Sequence, residues 1–160
     1  CRMGLGASMH LYTLRPAREA DLPFLRDLRA QSMREHLENS GLAYDEAAQE
    51  ARILDRFDCA RIVVCDGADV GLFKVCREGS PWELIQIQLL PAAQGRGLGA
   101  ALIRDLLADA AAAAAGIAVE LSVLKANPAQ RLYARLGFRP VGEAARAYTL
   151  RWTPPRAAKA

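Results

Sequence analysis

The chain has 160 residues, 52% of them hydrophobic and 24% charged, with a formal net charge of +3. That length holds about one domain, and the balance excludes a disordered or collagen-like chain. Its 21 basic residues are interspersed with 18 acidic ones, without the clustered basic face of a dedicated nucleic-acid binder, and a small anionic ligand suits such a surface equally well.

Strand and helix periods alternate along the chain. Residues 11–15 read as a strand stopped by Pro16, and residues 20–33 as a helix with Leu22, Leu25, Leu28 and Met33 at helical spacing and Asp21 as its cap. Residues 36–43 are polar and read as a loop, after which Asp45 opens a second helix to about Phe57. Two strands follow, 60–65 and 70–75, joined by Asp66-Gly67, a strong hairpin signal. A third strand, 82–90, ends at Pro91 and leads into a glycine-rich turn at 94–99.

A long helix over residues 97–115 then presents Leu98, Leu102, Leu106 and Ala110 as one stripe, and Gly116 ends it. A strand over 117–124, a short helix capped by Asn127-Pro128 and ended by Gly137, and a strand over 147–152 complete the order. Hairpins first and a crossover later predict one α/β domain: a mixed, mostly antiparallel central sheet flanked by helices. The domain is expected to span residues 9–153, after a leader or vector-derived segment at 1–8 and before a loose tail at 154–160.

No uncharged apolar run reaches the roughly eighteen residues of a membrane span, and residues 1–8 lack the apolar core of a secretory signal. Cys1, Cys59, Cys65 and Cys76 show no metal-ligand spacing and no CxxC. The last three sit in apolar stretches, where a free Cys acts as a small hydrophobe. A reduced, cytoplasmic protein without a metal, a membrane or a nucleic-acid partner is the expectation.

The chemically informative stretch runs from Leu89 to Ala100. A strand ends, glycines let the backbone approach a ligand, and a long helix begins with its positive dipole end at the same place. That is a cradle for phosphate, most naturally a pyrophosphate; the bland alternative is a turn and no more. Gly95-x-Gly97-x-x-Ala100, with Glu120 further on, also fits a relaxed dinucleotide fingerprint. Against that fit, residues 91–94 separate the glycines from the strand, and too little chain follows for a doubly wound sheet. A phosphate-binding Walker loop is excluded, because no Gly-Lys-Ser/Thr is present.

Gln94-Gly95-Arg96-Gly97-Leu98-Gly99 resembles the Q/R-x-x-G-x-G/A signature of the GCN5-related N-acetyltransferases, the GNAT superfamily. Asn127, followed by Leu132-Tyr133-Ala134-Arg135-Leu136-Gly137-Phe138, resembles their second signature, in the right order and separated by one helix and one strand. The resemblance implies acetyl-CoA as co-substrate, with no metal. It places the pyrophosphate on the N–H groups of Gly95, Arg96, Gly97, Leu98, Gly99 and Ala100, next to Gln94. It also implies a pantetheine arm paired with the backbone near Gln88, Leu89 and Leu90, Asn127 bonded to that arm, and Tyr133 facing the thioester sulfur.

Acetyl transfer needs a neutral amine, donors for the oxyanion and an acid for the departing thiolate. An amine with a pKa near 10.4 costs roughly 4–5 kcal/mol to neutralise at pH 7. Tyr133 is the expected acid. For the base, some relatives carry a glutamate on the strand before the asparagine motif, where Ser122 stands here. Others carry one on the strand before the glycine turn, where Glu83 stands. Glu120 and ordered water are the alternatives, and a solvated strand end is the bland reading of Glu83.

Gln86 and Gln88 alternate with apolar residues and read as a lining for acceptor or pantetheine. The resemblance implies an acceptor pocket built from the first two helices and the loop between them, for a small-molecule or peptide amine, where His36 and Glu38 could bind it or stand as solvated loop residues. By analogy with the family, residues 147–150 could pair across a homodimer.

Overall fold

Asp66 and Gly67 carry φ values of 50° and 78°, the pair of positive angles that a two-residue hairpin turn requires. The strands they join belong to a sheet that organises the whole molecule. The computed structural model describes residues 12–113 and 116–155.

In chain order the elements are β1 (Thr13–Pro16), α1 (Leu22–Asn39), α2 (Glu46–Leu54), β2 (Ala60–Cys65), β3 (Ala68–Cys76), β4 (Trp82–Leu89), α3 (Leu98–Ala112), β5 (Val119–Leu124), α4 (Gln130–Arg135), β6 (Arg139–Glu143) and β7 (Ala147–Trp152). The seven strands form one sheet in the order β1-β2-β3-β4-β5-β7-β6. Every neighbouring pair is antiparallel except β4 and β5. The mixed, mostly antiparallel sheet with flanking helices is the architecture expected from the order of periods.

Two irregularities in β4 position the site. The parallel pairing covers only Trp82, Leu84 and the residue between them, opposite Val119–Leu121. Beyond it β4 runs on to Leu89 and β5 to Leu124 without pairing to each other. Within β4 the register against β3 slips: Val75 faces Leu84 but Lys74 faces Gln86, so Ile85 is an extra residue, a β-bulge. Trp82 and Leu84 lie in the core under α3, and after the bulge it is Ile87 and Leu89 that pack against that core. Gln86 and Gln88 are thereby turned to the side of α1 and α2, where Gln86 Nε2 donates to the Arg52 carbonyl at 3.4 Å.

Each face of the sheet has its own core. On one, α3 buries Leu98, Leu102, Ile103, Leu106 and Ala110 against Phe73, Trp82, Val119 and Leu121. A fully buried leucine is worth about 2 kcal/mol there. On the other, Leu25 and Leu28 of α1 and Ile53 of α2 cover Ile62 and Leu72. Lys74, fully buried, reaches from β3 to the end of α2 and donates to the carbonyls of Arg52, Ile53 and Asp55 at 3.1, 2.9 and 2.6 Å. Those carbonyls have no partner inside the helix, so one ammonium ties α2 to the sheet.

Several expectations are corrected. Helix α1 continues to Asn39, so His36 and Glu38 stand on a helix rather than in a loop; the polar run at its end is simply the solvent side of the last turns. Strand β6 is absent from the expected order, because its five residues are all exposed and include Pro140 and Gly142, which hide the strand period. β7 is paired on both edges, by β5 and β6, so residues 147–150 have no free edge to offer a second chain. Cys59 and Cys76 are free, with Sγ atoms 2.6 Å apart, but Cys65 is disulfide-bonded, so the expectation of reduced thiols fails there. Cys65 is buried at the end of β2, and sequence spacing does not reveal its pairing. Among the described residues no helix is long and apolar enough to cross a membrane. The segment 1–8, Leu11, Ala114, Ala115 and residues 156–160 lie outside the described residues.

Candidate active site

Where β4 and β5 stop pairing, two cavities of about 430 and 420 Å³ open side by side. They share Met33, Ile87, Gln88, Asn127 and Tyr133 as lining residues. The first is walled by α1, α2 and both splayed strands; the second is walled by the glycine turn and the start of α3. A molecule that spans both passes between these five residues, Tyr133 among them.

Tyr133 is 6% exposed, and burial pushes its phenol up to about 12, so it is protonated at neutral pH. Its ring packs edge-on against Phe138 with centroids 5.8 Å apart. Among the described residues its hydroxyl has no hydrogen-bond partner. The turn that carries it is fastened by side chains: Asn127 Oδ1 accepts from the Ala129 N–H at 2.9 Å, and Gln130 Nε2 donates to the Lys125 carbonyl at 2.7 Å. Asn127 therefore makes the expected capping bond, while α4 itself begins three residues later.

Gly95 and Gly97 both have φ of 76°, and a Cβ on either would meet nothing within 4 Å. Glycine is needed there for the left-handed backbone, not for space. Gly97 is the N-cap of α3 and has no side-chain cap bond, so the first N–H groups of the helix face the second cavity unsatisfied. Gln94, Gly95, Gly97, Leu98, Gly99 and Ala100 line that cavity, and Arg96 does not. Gln94 Nε2 donates to the Leu89 carbonyl at 2.9 Å, closing the turn on the strand. Gln88 and Leu89 line the cavity as expected, but Leu90 does not, and its N–H is already spent on the Val70 carbonyl at 2.8 Å.

The acidic candidates are elsewhere. Glu83 is exposed and accepts from Arg56 Nη1 at 2.9 Å. Glu120 accepts from Arg151 Nε at 2.6 Å. Neither lines the two cavities, whereas Ser122 lines the first. His36 lines the second cavity, on the side of the glycine turn, and Glu38 lines neither. Asp58, Cys59 and Glu78 bring potential metal ligands within 4.8 Å of one another, away from both cavities.

Sequence reasoning missed the cavity's own arginines. Arg29, Met33 and Leu37 are four residues apart on α1 and line the first cavity together, joined by Gln49 and Arg52 of α2. Arg29 is 4% exposed, and its Nε donates to Gln49 Oε1 at 2.6 Å. Burial, with Arg52 nearby, pushes its guanidinium down to about 10, still charged at neutral pH. The available signal was an arginine standing four residues after Leu25 on the buried stripe. Ser32 and Arg135, which line the second cavity, were likewise not foreseen.

A family model described as an acetyltransferase (GNAT) domain matches residues 58–140, which contain β2 to α4 and both cavity-lining turns. The chain belongs to the GNAT acetyltransferase family. No curated protein matches it. Among solved structures, it is similar to the PaiA N-acetyltransferase of Thermoplasma acidophilum in complex with coenzyme A, at 16% identity and a TM-score of 0.67, covering 89% of this chain and 98% of that one. It is similar to an acetyltransferase of Thermus thermophilus, at 22% identity and a TM-score of 0.66, covering 91% and 99%. It is also similar to the GphF GNAT-like decarboxylase in complex with isobutyryl-CoA, at 17% identity and a TM-score of 0.63, covering 88% and 98%.

Proposed function

We propose that the protein transfers an acetyl group from acetyl-CoA to a primary amine by direct attack within a ternary complex. The observation that carries this reading is the pair of cavities joined at Tyr133, one beside a glycine turn and helix N-terminus, the other a walled pocket. The pyrophosphate rests on the N–H groups from Gly95 to Ala100, with Arg135 close by. The pantetheine arm runs along β4 at Gln88 and Leu89, with Asn127 opposite, and the acceptor enters the cavity under α1 and α2. The relative in complex with coenzyme A and the one in complex with isobutyryl-CoA support an acyl-CoA as the ligand of this fold.

In the transfer the amine nitrogen bonds to the thioester carbonyl carbon and the C–S bond breaks. The phenol of Tyr133 donates a hydrogen bond to the sulfur as charge develops on it. Full proton transfer from a phenol at about 12 to a thiolate of ordinary basicity, near 8.5, is uphill by roughly 5 kcal/mol. The sulfur therefore ends with the proton that the amine gives up, relayed through water. No carboxylate among the described residues lines the first cavity, so water takes the place of the expected glutamate base.

The test is release of free thiol from acetyl-CoA on addition of amines, with mass spectrometry of the product. An acetylated amine supports the reading. Acetyl-CoA binding without transfer to any amine would leave a non-catalytic acyl-CoA-binding module, and carbon dioxide release from a carboxylated acyl-CoA would point to decarboxylation, the activity for which the third relative is named.

A further inference from the structure

The wall of the first cavity is charged in one sense only. Arg29 and Arg52 line it, and among the described residues no Asp or Glu does. Neither guanidinium has an ion-pair partner among the described residues. A charge as deeply buried as Arg29, at 4% exposure, is costly without a counter-ion. The same cavity is lined by Gln86 and Gln88, 4% and 5% exposed, and each holds an Oε1 atom with no hydrogen-bond partner. Buried carbonyl oxygens of that kind are normally satisfied. The bond from Arg29 to Gln49 explains a tie between α1 and α2. It does not explain a second arginine on the same wall, nor two orphan acceptors facing α1 and α2.

We infer that the acceptor is a small primary amine that also carries an anionic group, a carboxylate or a phosphate, with Arg29 and Arg52 holding the anion and Gln86 and Gln88 accepting from the amine end. The inference rests on the acetyl-transfer reading for the identity of the cavity's occupant. A guanidinium fork takes either anion in two parallel hydrogen bonds. The same wall rejects a polyamine or a lysine-rich tail, because a second cation would face two guanidiniums with no acid to receive it.

The experiment titrates glycine, alanine, methionine and glutamate, their carboxamides, O-phosphoethanolamine, ethanolamine and putrescine into the protein with and without coenzyme A. Binding is read by calorimetry, and turnover by thiol release from acetyl-CoA. At least one acid or the phosphate is expected to bind tenfold or more tightly than its uncharged counterpart. Carboxylate against phosphate in the panel identifies the anion. Arg52→Gln, at an exposed position, is expected to remove about tenfold of that preference. It should leave the counterpart's affinity and the melting-temperature shift with acetyl-CoA unchanged. Arg29→Gln should do the same if its circular dichroism is native, and a purely structural Arg29 would lower stability without touching the preference. Equal binding of acid and counterpart, tighter binding of putrescine, or no binding by any member of the panel overturns the inference. Selective binding without thiol release would keep the cavity as a site for an anion-bearing amine while overturning its role as acetyl acceptor, and thiol release without selectivity would keep acetyl transfer while overturning the anion site.

Discussion

A methyl group on Gly71 would stand 2.5 Å from the carbonyl oxygen of Gln88 and 2.6 Å from Leu89 Cδ2. The missing side chain at Gly71 thus lets β3 lie close against Gln88, which lines both cavities, and Leu89, which lines the second. Gly71→Ala is expected to cost about 1–3 kcal/mol through overpacking and to weaken acetyl-CoA binding by displacing Gln88 and Leu89. Urea unfolding and a calorimetric titration check both, and wild-type values in the two would show that the strands yield freely. Gly97→Ala makes a contrast: its Cβ has open space, but φ is 76°, so backbone strain alone should cost about 1–2 kcal/mol.

Tyr133→Phe keeps the ring that packs on Phe138 and removes only the hydroxyl. The loss of one preorganised donor to developing charge is expected to lower kcat about a hundredfold, with the affinity for coenzyme A changed by less than about threefold. Steady-state kinetics beside a binding titration decide it. An equal loss in both would make the hydroxyl a binding group and not a donor to sulfur.

Much of this was legible in the sequence. The Asp66-Gly67 hairpin, the α3 stripe and the two signatures that meet around the second cavity all depend on local pattern, and local pattern survives folding. What failed to show depended on tertiary placement. Glu83 looks like a base when only its distance from Gln94 is known, yet it lies before the bulge at Ile85, beside Arg56. Arg29 and Arg52 are ordinary helical arginines until α1 and α2 close over the splayed strands. His36 is misplaced by any reading that ends α1 at Met33, because the extra turns carry it to the side of the glycine turn.

Glu83→Gln is therefore expected to leave the acidic limb of the rate profile in place and kcat within about twofold, since an exposed ion pair contributes less than about 1 kcal/mol. A pH–rate comparison of variant and wild type is sufficient. A shifted acidic limb would restore Glu83 as the base and require β4 to rearrange on substrate binding.

Lys74 makes stability depend on pH in an unusual direction. Burial holds its ammonium at about 8, against an ordinary 10.5. Between those values the unfolded chain carries a proton that the folded chain has shed, so this group's contribution to stability rises with pH across that window. Below pH 8 the cost of charging it is fully present. Lys74→Met abolishes the dependence and leaves the carbonyls of Arg52, Ile53 and Asp55 unsatisfied, a loss of about 1–3 kcal/mol. The wild-type advantage over this variant should widen from pH 8 towards 10.5 in denaturant titrations, and a constant difference would show that Lys74 titrates normally.

An acyl-CoA site at the glycine turn is tested first by thermal unfolding of the protein with acetyl-CoA, with coenzyme A and with NADH. At a hundred times its Kd a ligand adds about 2.7 kcal/mol, several degrees for a domain of this size. That shift is expected with acetyl-CoA and with coenzyme A, and none with NADH. No shift with either thiol compound, or a shift with NADH alone, would contradict it.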